Sequence, residues 1–165
     1  MSFAKVFKKI NKNSRSTLYL RPYDVENQQY LDIIKDAQSE GLSQVIINSQ
    51  IMIDFLSYTL EKDGIILKIQ MNNYADVELK DDIMAIVRKL RKEKHLFQEL
   101  KQQLSWALDS ESIDILSITI ALKIDDSFPQ SWEIFSNGII VGEDIEKFFR
   151  VHLCQVVEGY LNASS

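Results

Sequence analysis

The chain has 165 residues, of which 45% are hydrophobic and 26% charged, with five Gly and two Pro. This composition excludes a disordered, collagenous or low-complexity chain, and the length is enough for one domain with its own core. The formal net charge is −5, but residues 1–21 hold six basic residues and no acid, so the rest of the chain carries −11. The charge pattern therefore predicts a basic N-terminal arm, residues 1–21, and a single domain over residues 22–165.

The single cysteine, Cys154, excludes an internal disulfide. No apolar run reaches the length that a membrane span requires, and the first residues lack the apolar centre and cleavage site of a secretory signal. We therefore expect a cytoplasmic protein without a transmembrane segment.

The first thirteen residues have the pattern of a short amphipathic helix. Phe3, Val6, Phe7 and Ile10 share one helical face, and most of the other face is basic, with Lys5, Lys8, Lys9 and Lys12. One interpretation is an anchor for an anionic membrane surface, a nucleic acid or an acidic partner. The other is a terminal helix that packs its aromatic residues on the body and leaves its lysines in water.

The next segment leads into a predicted helix. Thr17–Arg21 is either a short strand or an extended connector, because a residue that precedes proline is disfavoured in a helix. A helix capped by Asp24 then follows and ends at Gly41, which suits a left-handed C-terminal position. Its expected buried residues are Val25, Tyr30, Leu31, Ile34 and Ala37.

Residues 42–61 fit either a helix or an alternating strand. The dipeptide Asp63-Gly64 is a strong signal for a two-residue hairpin turn. It favours strands on both sides, over Phe55–Lys62 and Ile65–Met71, with Asn72 and Asn73 ending the second strand.

The clearest helical period covers Val77–Leu108, where Glu93 alone takes a position expected to be apolar. Asp76 can cap this segment, and no Gly or Pro interrupts it. A coiled coil would require an unbroken repeat, so the pattern predicts a long helix that faces the core and bends near Lys94. Its apolar positions are Leu79, Ile83, Ile86, Leu90, Phe97, Leu100, Leu104 and Ala107.

The period changes to two after Ser110. Leu116–Ile124 is predicted to be a half-buried antiparallel strand. Asn137-Gly138 then predicts a hairpin with a type I′ turn between Trp132–Ser136 and Ile139–Val141.

A final helix is predicted to start at Glu143 or Asp144 and to reach Leu161. The complete element order predicts an α+β fold. It contains an antiparallel sheet of about four to five strands, covered by the long central helix and by flanking N- and C-terminal helices.

The residues that normally carry catalysis are few. His152 and Cys154 are two positions apart, so on a helix they point about 200° apart and cannot act as a pair. We expect Cys154 to be a small buried hydrophobe, and two His with one Cys cannot form a conventional zinc site. The adjacent carboxylates Asp81-Asp82 and Asp125-Asp126 suit helix ends or loops. The sequence therefore predicts no catalytic residue, metal or cofactor, and hence no enzyme.

A second basic segment lies within the predicted long helix. Arg88, Arg91, Lys92 and His95 share one stripe, which suits phosphate contacts but is also typical of a solvated helix face. His95 is expected to be solvated. The candidate contacts to an anionic partner are therefore Lys5, Lys8, Lys9, Lys12, Arg88, Arg91 and Lys92.

The element order from Asp24 onward resembles that of the small acidic type III secretion chaperones and of bacterial proteins of the YbjN kind. Four features carry the resemblance: the Asp63-Gly64 and Asn137-Gly138 hairpins, the strand Leu116–Ile124 and the helix Asp144–Leu161. The resemblance implies a dimeric protein that binds an extended partner segment along exposed apolar surface.

The predicted function is that of a non-enzymatic protein-binding module: an adaptor, chaperone or inhibitor that recognises another protein through its sheet or long helix. A homodimer belongs to the same expectation. The alternative is a nucleic-acid-associated factor that uses residues 1–21 and 88–95, which would have to meet on one face. An enzyme would require acids from distant segments to meet in a pocket.

Overall fold

The computed structural model describes residues 1–72, 77–110 and 113–163. Within these ranges the chain forms seven strands of an antiparallel sheet and six α-helices, so the predicted α+β class is confirmed, with more strands than expected. In chain order the elements are β1 (Ser2–Ile10), β2 (Ser16–Pro22), α1 (Tyr30–Ser39), β3 (Ser43–Gln44), α2 (Ser49–Glu61), β4 (Ile65–Met71), α3 (Val77–Leu90), α4 (Phe97–Asp109), β5 (Ile115–Leu122), β6 (Gln130–Phe135), β7 (Ile139–Gly142), α5 (Ile145–Phe148) and α6 (Cys154–Asn162).

The chain divides into two compact units. The first comprises Met1–Ile47 and Ile134–Ser165, and the second comprises Asn48–Glu133. The predicted boundary between an arm and a domain at residue 22 stays a prediction.

The first unit is organised around β1, which pairs antiparallel with β2, β3 and β7. The predicted N-terminal helix is therefore wrong. The reason is burial on both faces: Ala4, Lys5, Val6 and Phe7 are consecutive and all buried, so β1 has no alternating pattern that distinguishes it from a helix. The strand interpretation of Thr17–Arg21 is confirmed by β2.

Helix α1 starts later than predicted. The Asp24 carboxylate accepts hydrogen bonds from the backbone N–H groups of Glu26 and Asn27, so it closes a turn before the helix begins. Ile34 and Ala37 are buried as expected, whereas Val25 and Leu31 are exposed. Gly41 has φ 81°, the left-handed conformation predicted for the helix end.

Residues 49–61 form helix α2, so the strand predicted over Phe55–Lys62 and the hairpin at Asp63-Gly64 are wrong. Asp63 ends the helix in a left-handed conformation, with φ 58°. Gly64 is required for space, because a Cβ there would lie 2.6 Å from the Ala121 carbonyl oxygen. The strand predicted over Ile65–Met71 is confirmed by β4.

The predicted long helix consists of two helices, α3 and α4, separated by a 3-10 turn at Lys94–Leu96. The break falls in the charged segment around Glu93, which offers no apolar side chain to bury. The predicted core positions from Ile83 to Ala107 are buried on both helices, and α3 contacts α4. The predicted cap, Asp76, lies outside the described residues.

The strands after Ser110 lie where they are predicted, but β5 is buried on both faces rather than half-buried, since Ser117 and Ala121 are buried as well. Strand β5 pairs with β4, and a register shift between Gln70 and Met71 displaces Leu116 from the buried face. The hairpin at Asn137-Gly138 is present, but only Gly138 has a positive φ, of 85°, so the turn is not type I′.

The predicted C-terminal helix is present over Ile145–Asn162. It consists of α5 and α6 joined by a π-helical turn at Phe149–Leu153. The predicted start is confirmed, because Asp144 is the residue that precedes the helix.

Candidate functional site

The predicted cations near the N-terminus lie on a hairpin rather than on a helix. Strands β1 and β2 are joined by a turn in which the Asn11 N–H donates to the Arg15 carbonyl at 2.7 Å. Lys9 and Lys12 are exposed and Lys8 is half-buried. None of these three lysines forms an ion pair with another described residue. Their charges are therefore open to solvent and to any anionic partner.

Lys5 has a different environment, because its side chain is fully buried in the first unit. Its ammonium donates a hydrogen bond to the Asn137 carbonyl and lies 5.6 Å and 5.3 Å from the ring centroids of Phe7 and Tyr30. Burial lowers the pKa of Lys5 to about 8. Lys5 therefore links β1, α1 and the turn before β7, and has no surface to offer a partner.

The second group of predicted cations lies in the second unit. Arg88, Arg91 and Lys92 are all exposed, at or just after the end of α3, as is His95. Among the described residues these three cations have no ion pair, whereas Lys94 Nζ lies 3.0 Å from Asp63 Oδ1. The predicted anionic-partner residues thus form two groups, one in each unit.

A free strand edge is the most distinctive feature of the second unit. Within the described residues β4 pairs only with β5, so its other edge is unpaired. Ile66 and Ile69 face the core, while Ile65, Lys68 and Gln70 are exposed. An unpaired strand of seven residues offers a row of backbone donors and acceptors to another extended chain.

The outer edge of β2, in the first unit, is closed by contrast. The backbone N–H of Ser16 donates to Asn162 Oδ1 at 2.9 Å, and the N–H of Leu18 donates to Glu158 Oε1 at 3.1 Å. Both acceptors are side chains of α6, and Asn162 Nδ2 also donates to the Ser16 carbonyl. Among the described residues no side-chain hydrogen bond caps β4 in this way, although α2 and α3 both pack against this strand.

A small pocket lies at the start of β4. Its volume is about 210 Å³, and Gly64 and Asp63 form part of its wall. Its other lining residues come from α2, β4, the end of α3 and the 3-10 turn: Leu60, Ile65, Ile66, Leu90, Arg91 and Lys94. The pocket therefore joins aliphatic walls and two cations at one end of the free edge.

Larger clefts also lie in the first unit. One, of about 650 Å³, is lined in part by Arg21, Glu40 and Asp24. Arg21 and Glu40 are already ion-paired, and the hydrogen bond from Asn27 holds the pKa of Asp24 below its usual range. The other, of about 680 Å³, lies between the β1–β2 hairpin and the start of the C-terminal helix, with Phe3, Tyr19 and Phe149 in its wall.

The predicted non-catalytic pair lies in the C-terminal helix. His152 is buried, and Cys154 is half-buried rather than fully buried. Burial, with a smaller effect from Glu158, raises the pKa of Cys154 to about 11. The thiol is therefore protonated at neutral pH and is a poor nucleophile.

Among the described residues no group of three or more His, Cys, Asp or Glu side chains is placed to hold a metal ion. The carboxylates Asp81, Asp82, Asp125 and Asp126 are all exposed. None of the helices in the described ranges is both long enough and apolar enough to cross a membrane.

Sequence reasoning named Arg91 but missed the rest of this site. The strand β4 was predicted from the Asp63-Gly64 signal and the apolar run after it, and neither shows that the strand lies at an edge. The pocket also depends on Leu60 and Leu90, which come from two separate helices. Their apolar character predicted only that they face a core.

Comparison of the chain with known protein families, with curated proteins and with solved structures gives no match. The site must therefore be interpreted from its own geometry.

Proposed function

We propose that this chain is a non-enzymatic protein-binding module that receives an extended segment of a partner protein along the free edge of β4. The observation that carries the proposal is the contrast between two strand edges. The edge of β2 is capped by side chains of α6, whereas β4 has no such cap among the described residues. Addition of a strand to an open edge is a common mode of peptide recognition.

The side chains of β4 support the same proposal. Exposed positions at Ile65, Lys68 and Gln70 place an apolar, a charged and an amide side chain on one side of the strand. Beside them, the Ser117 hydroxyl donates to Glu133 Oε2 at 2.9 Å and lies 3.2 Å from Gln70 Oε1. An added strand would form backbone hydrogen bonds along the edge, and these side chains would select its sequence.

The test uses a phage-displayed library of random dodecapeptides that are fused at both ends, so that only internal segments are presented. Selected peptides are synthesised, and hydrogen exchange of the full chain is measured with and without them. We expect backbone amides within Ile65–Met71 to gain protection, while the already capped amides of Ser16 and Leu18 do not change. Selected peptides that protect other surfaces and leave β4 unchanged would show that the proposal is wrong.

A substitution tests the edge itself. Ile65→Lys places a charge at the partly exposed start of β4, and we expect it to weaken binding of the selected peptides by about tenfold or more, since a buried Ile contributes about 1.5–3 kcal/mol. The matched control is Ile46→Lys, because Ile46 is an exposed isoleucine in the other unit. Equal effects of the two substitutions would argue against a contact at β4.

The nucleic-acid alternative has weaker support. Of its predicted contacts Lys5 is buried, and the exposed cations divide between the hairpin of the first unit and the end of α3 in the second. The second unit has ten basic and fifteen acidic residues, a net charge of −5, which opposes general attraction of a polyanion. This charge argues against a nucleic acid, which has many phosphates, but not against a ligand with one anionic group near Arg91.

A further inference from the structure

The pocket at the start of β4 combines aliphatic walls with cationic side chains. Leu60 and Leu90 contribute aliphatic walls, and the cations Arg91 and Lys94 line the same space. Gly64 has no side chain to fill it. A ligand that uses the whole pocket must therefore combine an aliphatic group with a negative charge.

The charge balance of the pocket points to one anionic group. Asp63 and Lys94 neutralise each other, with Oδ1 and Nζ 3.0 Å apart. Arg91 has no ion pair with any described residue, so its charge is uncompensated. A guanidinium binds a carboxylate through two parallel hydrogen bonds, which makes a carboxylate its natural partner.

The size of the pocket limits what enters it. Its volume of about 210 Å³ is below the roughly 300–1,000 Å³ of typical small-molecule sites. An aliphatic side chain together with a carboxylate group fits within such a space. An internal Asp or Glu would supply the charge but would leave the walls of Leu60 and Leu90 without an apolar contact.

We propose that this pocket binds the free C-terminal residue of the partner segment. The α-carboxylate lies on Arg91, the aliphatic side chain of the last residue enters the pocket, and the preceding residues pair with β4. Because the pocket is at the start of β4, the added segment runs antiparallel to it, and the residues before its end lie along the exposed side chains of Lys68 and Gln70. An acidic residue is favoured beside Lys68. This inference rests on the proposed function of the β4 edge.

The test uses a second library, of random decapeptides displayed with free C-termini, and synthetic versions of the best sequence with a C-terminal carboxylate or amide. We expect selected sequences to end in Val, Leu or Ile. The amide form should bind about 10- to 100-fold more weakly, because it loses a charge-assisted hydrogen bond to Arg91.

A double-mutant comparison assigns the loss to one pair of groups. Arg91→Gln should weaken binding of the carboxylate form by about tenfold or more and should have little effect on the amide form. Arg88→Gln is the matched control, since Arg88 is an exposed arginine of α3 that does not line the pocket. It should leave both affinities unchanged.

The outcomes separate this inference from the proposed function. One outcome is that the carboxylate and amide forms of the peptide bind equally, protect β4 from exchange and are insensitive to Arg91→Gln. That result overturns the C-terminal site but leaves the edge of β4 as a binding surface. Binding that depends on Arg91 but follows an internal acidic side chain in an amidated peptide also overturns it. If no peptide from either library protects β4, both the inference and the proposed function are wrong.

Discussion

A lysine ammonium with no carboxylate partner among the described residues occupies the interior of the first unit. Burial lowers the pKa of Lys5 from the usual 10.5 to about 8, a difference of about 3 kcal/mol in favour of the neutral amine. The Asn137 carbonyl and the rings of Phe7 and Tyr30 offset only part of the cost of desolvation. Lys5 therefore stabilises the fold less than an apolar side chain of similar length would.

We predict that Lys5→Met raises the free energy of unfolding by about 1–3 kcal/mol at pH 7. Between pH 8 and 10.5 the unfolded chain binds the Lys5 proton and the folded chain does not, so the stability of the native chain rises with pH through this window. Below pH 8 Lys5 is protonated in both the folded and the unfolded chain, so folding bears the full cost of burying its charge. The advantage of Lys5→Met should therefore shrink as the pH rises from 8 to 10.5, as measured by urea unfolding.

The comparison must isolate Lys5 from other groups that titrate in this range. Burial raises the pKa of Tyr30, and that of Cys154 to about 11, and both make the stability fall at high pH. The Cys154 effect cancels in the difference between the native chain and the variant, whereas the Tyr30 effect is removed by Tyr30→Phe in both chains, because the Tyr30 ring lies 5.3 Å from Lys5 Nζ. Lys9→Met, at an exposed position of the same strand, is the control and should show no pH-dependent difference. If the difference in the free energy of unfolding between Lys5→Met and the native chain does not change from pH 8 to 10.5, the pKa of Lys5 is not lowered in the folded chain.

At the scale of elements, the cap on β2 distinguishes a closed edge from an open one. Glu158 and Asn162 satisfy the N–H groups of Leu18 and Ser16, which would otherwise face solvent or another chain. We predict that Glu158→Ala with Asn162→Ala lowers the free energy of unfolding by about 1–3 kcal/mol. The same pair should accelerate amide exchange at residues 16 and 18, measured by NMR.

The control for this cap is Gln155→Ala, because Gln155 is an exposed residue of the same helix whose side chain donates only to the Val151 carbonyl. It should leave exchange in β2 unchanged. If removal of Glu158 and Asn162 does not alter exchange at residues 16 and 18, the edge of β2 is protected by something other than these two side chains.

Sequence reasoning predicted an element correctly where its apolar residues recur with one clear period. Helices α3 and α4 bury one face and show a period of 3.6, and β5 has apolar residues at every second position. Strand β1 is buried on both faces, and α2 has so many buried positions that its apolar residues fit either period. In both cases tertiary burial removed the pattern from which the element type is inferred.

The same reasoning explains how much of the site was predictable. Arg91 could be named from the sequence because it belongs to a run of basic residues, which in the structure spans the end of α3 and the turn after it. The aliphatic walls, the cap that closes β2 and the free edge of β4 all depend on which distant segments become neighbours. Asp63-Gly64 was misinterpreted because the requirement at Gly64 is close packing against β5, not a hairpin turn.

At the scale of the whole molecule, residues 1–22 contain β1 and β2, the two strands with which the first unit begins. Strand β1 pairs with three other strands and contributes Ala4, Lys5, Val6 and Phe7 to the interior. We predict that a chain starting at Tyr23 loses native amide shifts and exchange protection over Ile139–Asn162, measured by NMR. The full-length double variant Lys9→Gln with Lys12→Gln is the control, because it removes exposed charge and should keep the fold. If the shortened chain keeps native signals for β7 and the C-terminal helix, residues 1–22 are a dispensable arm, and any binding lost with them can be assigned to their charge.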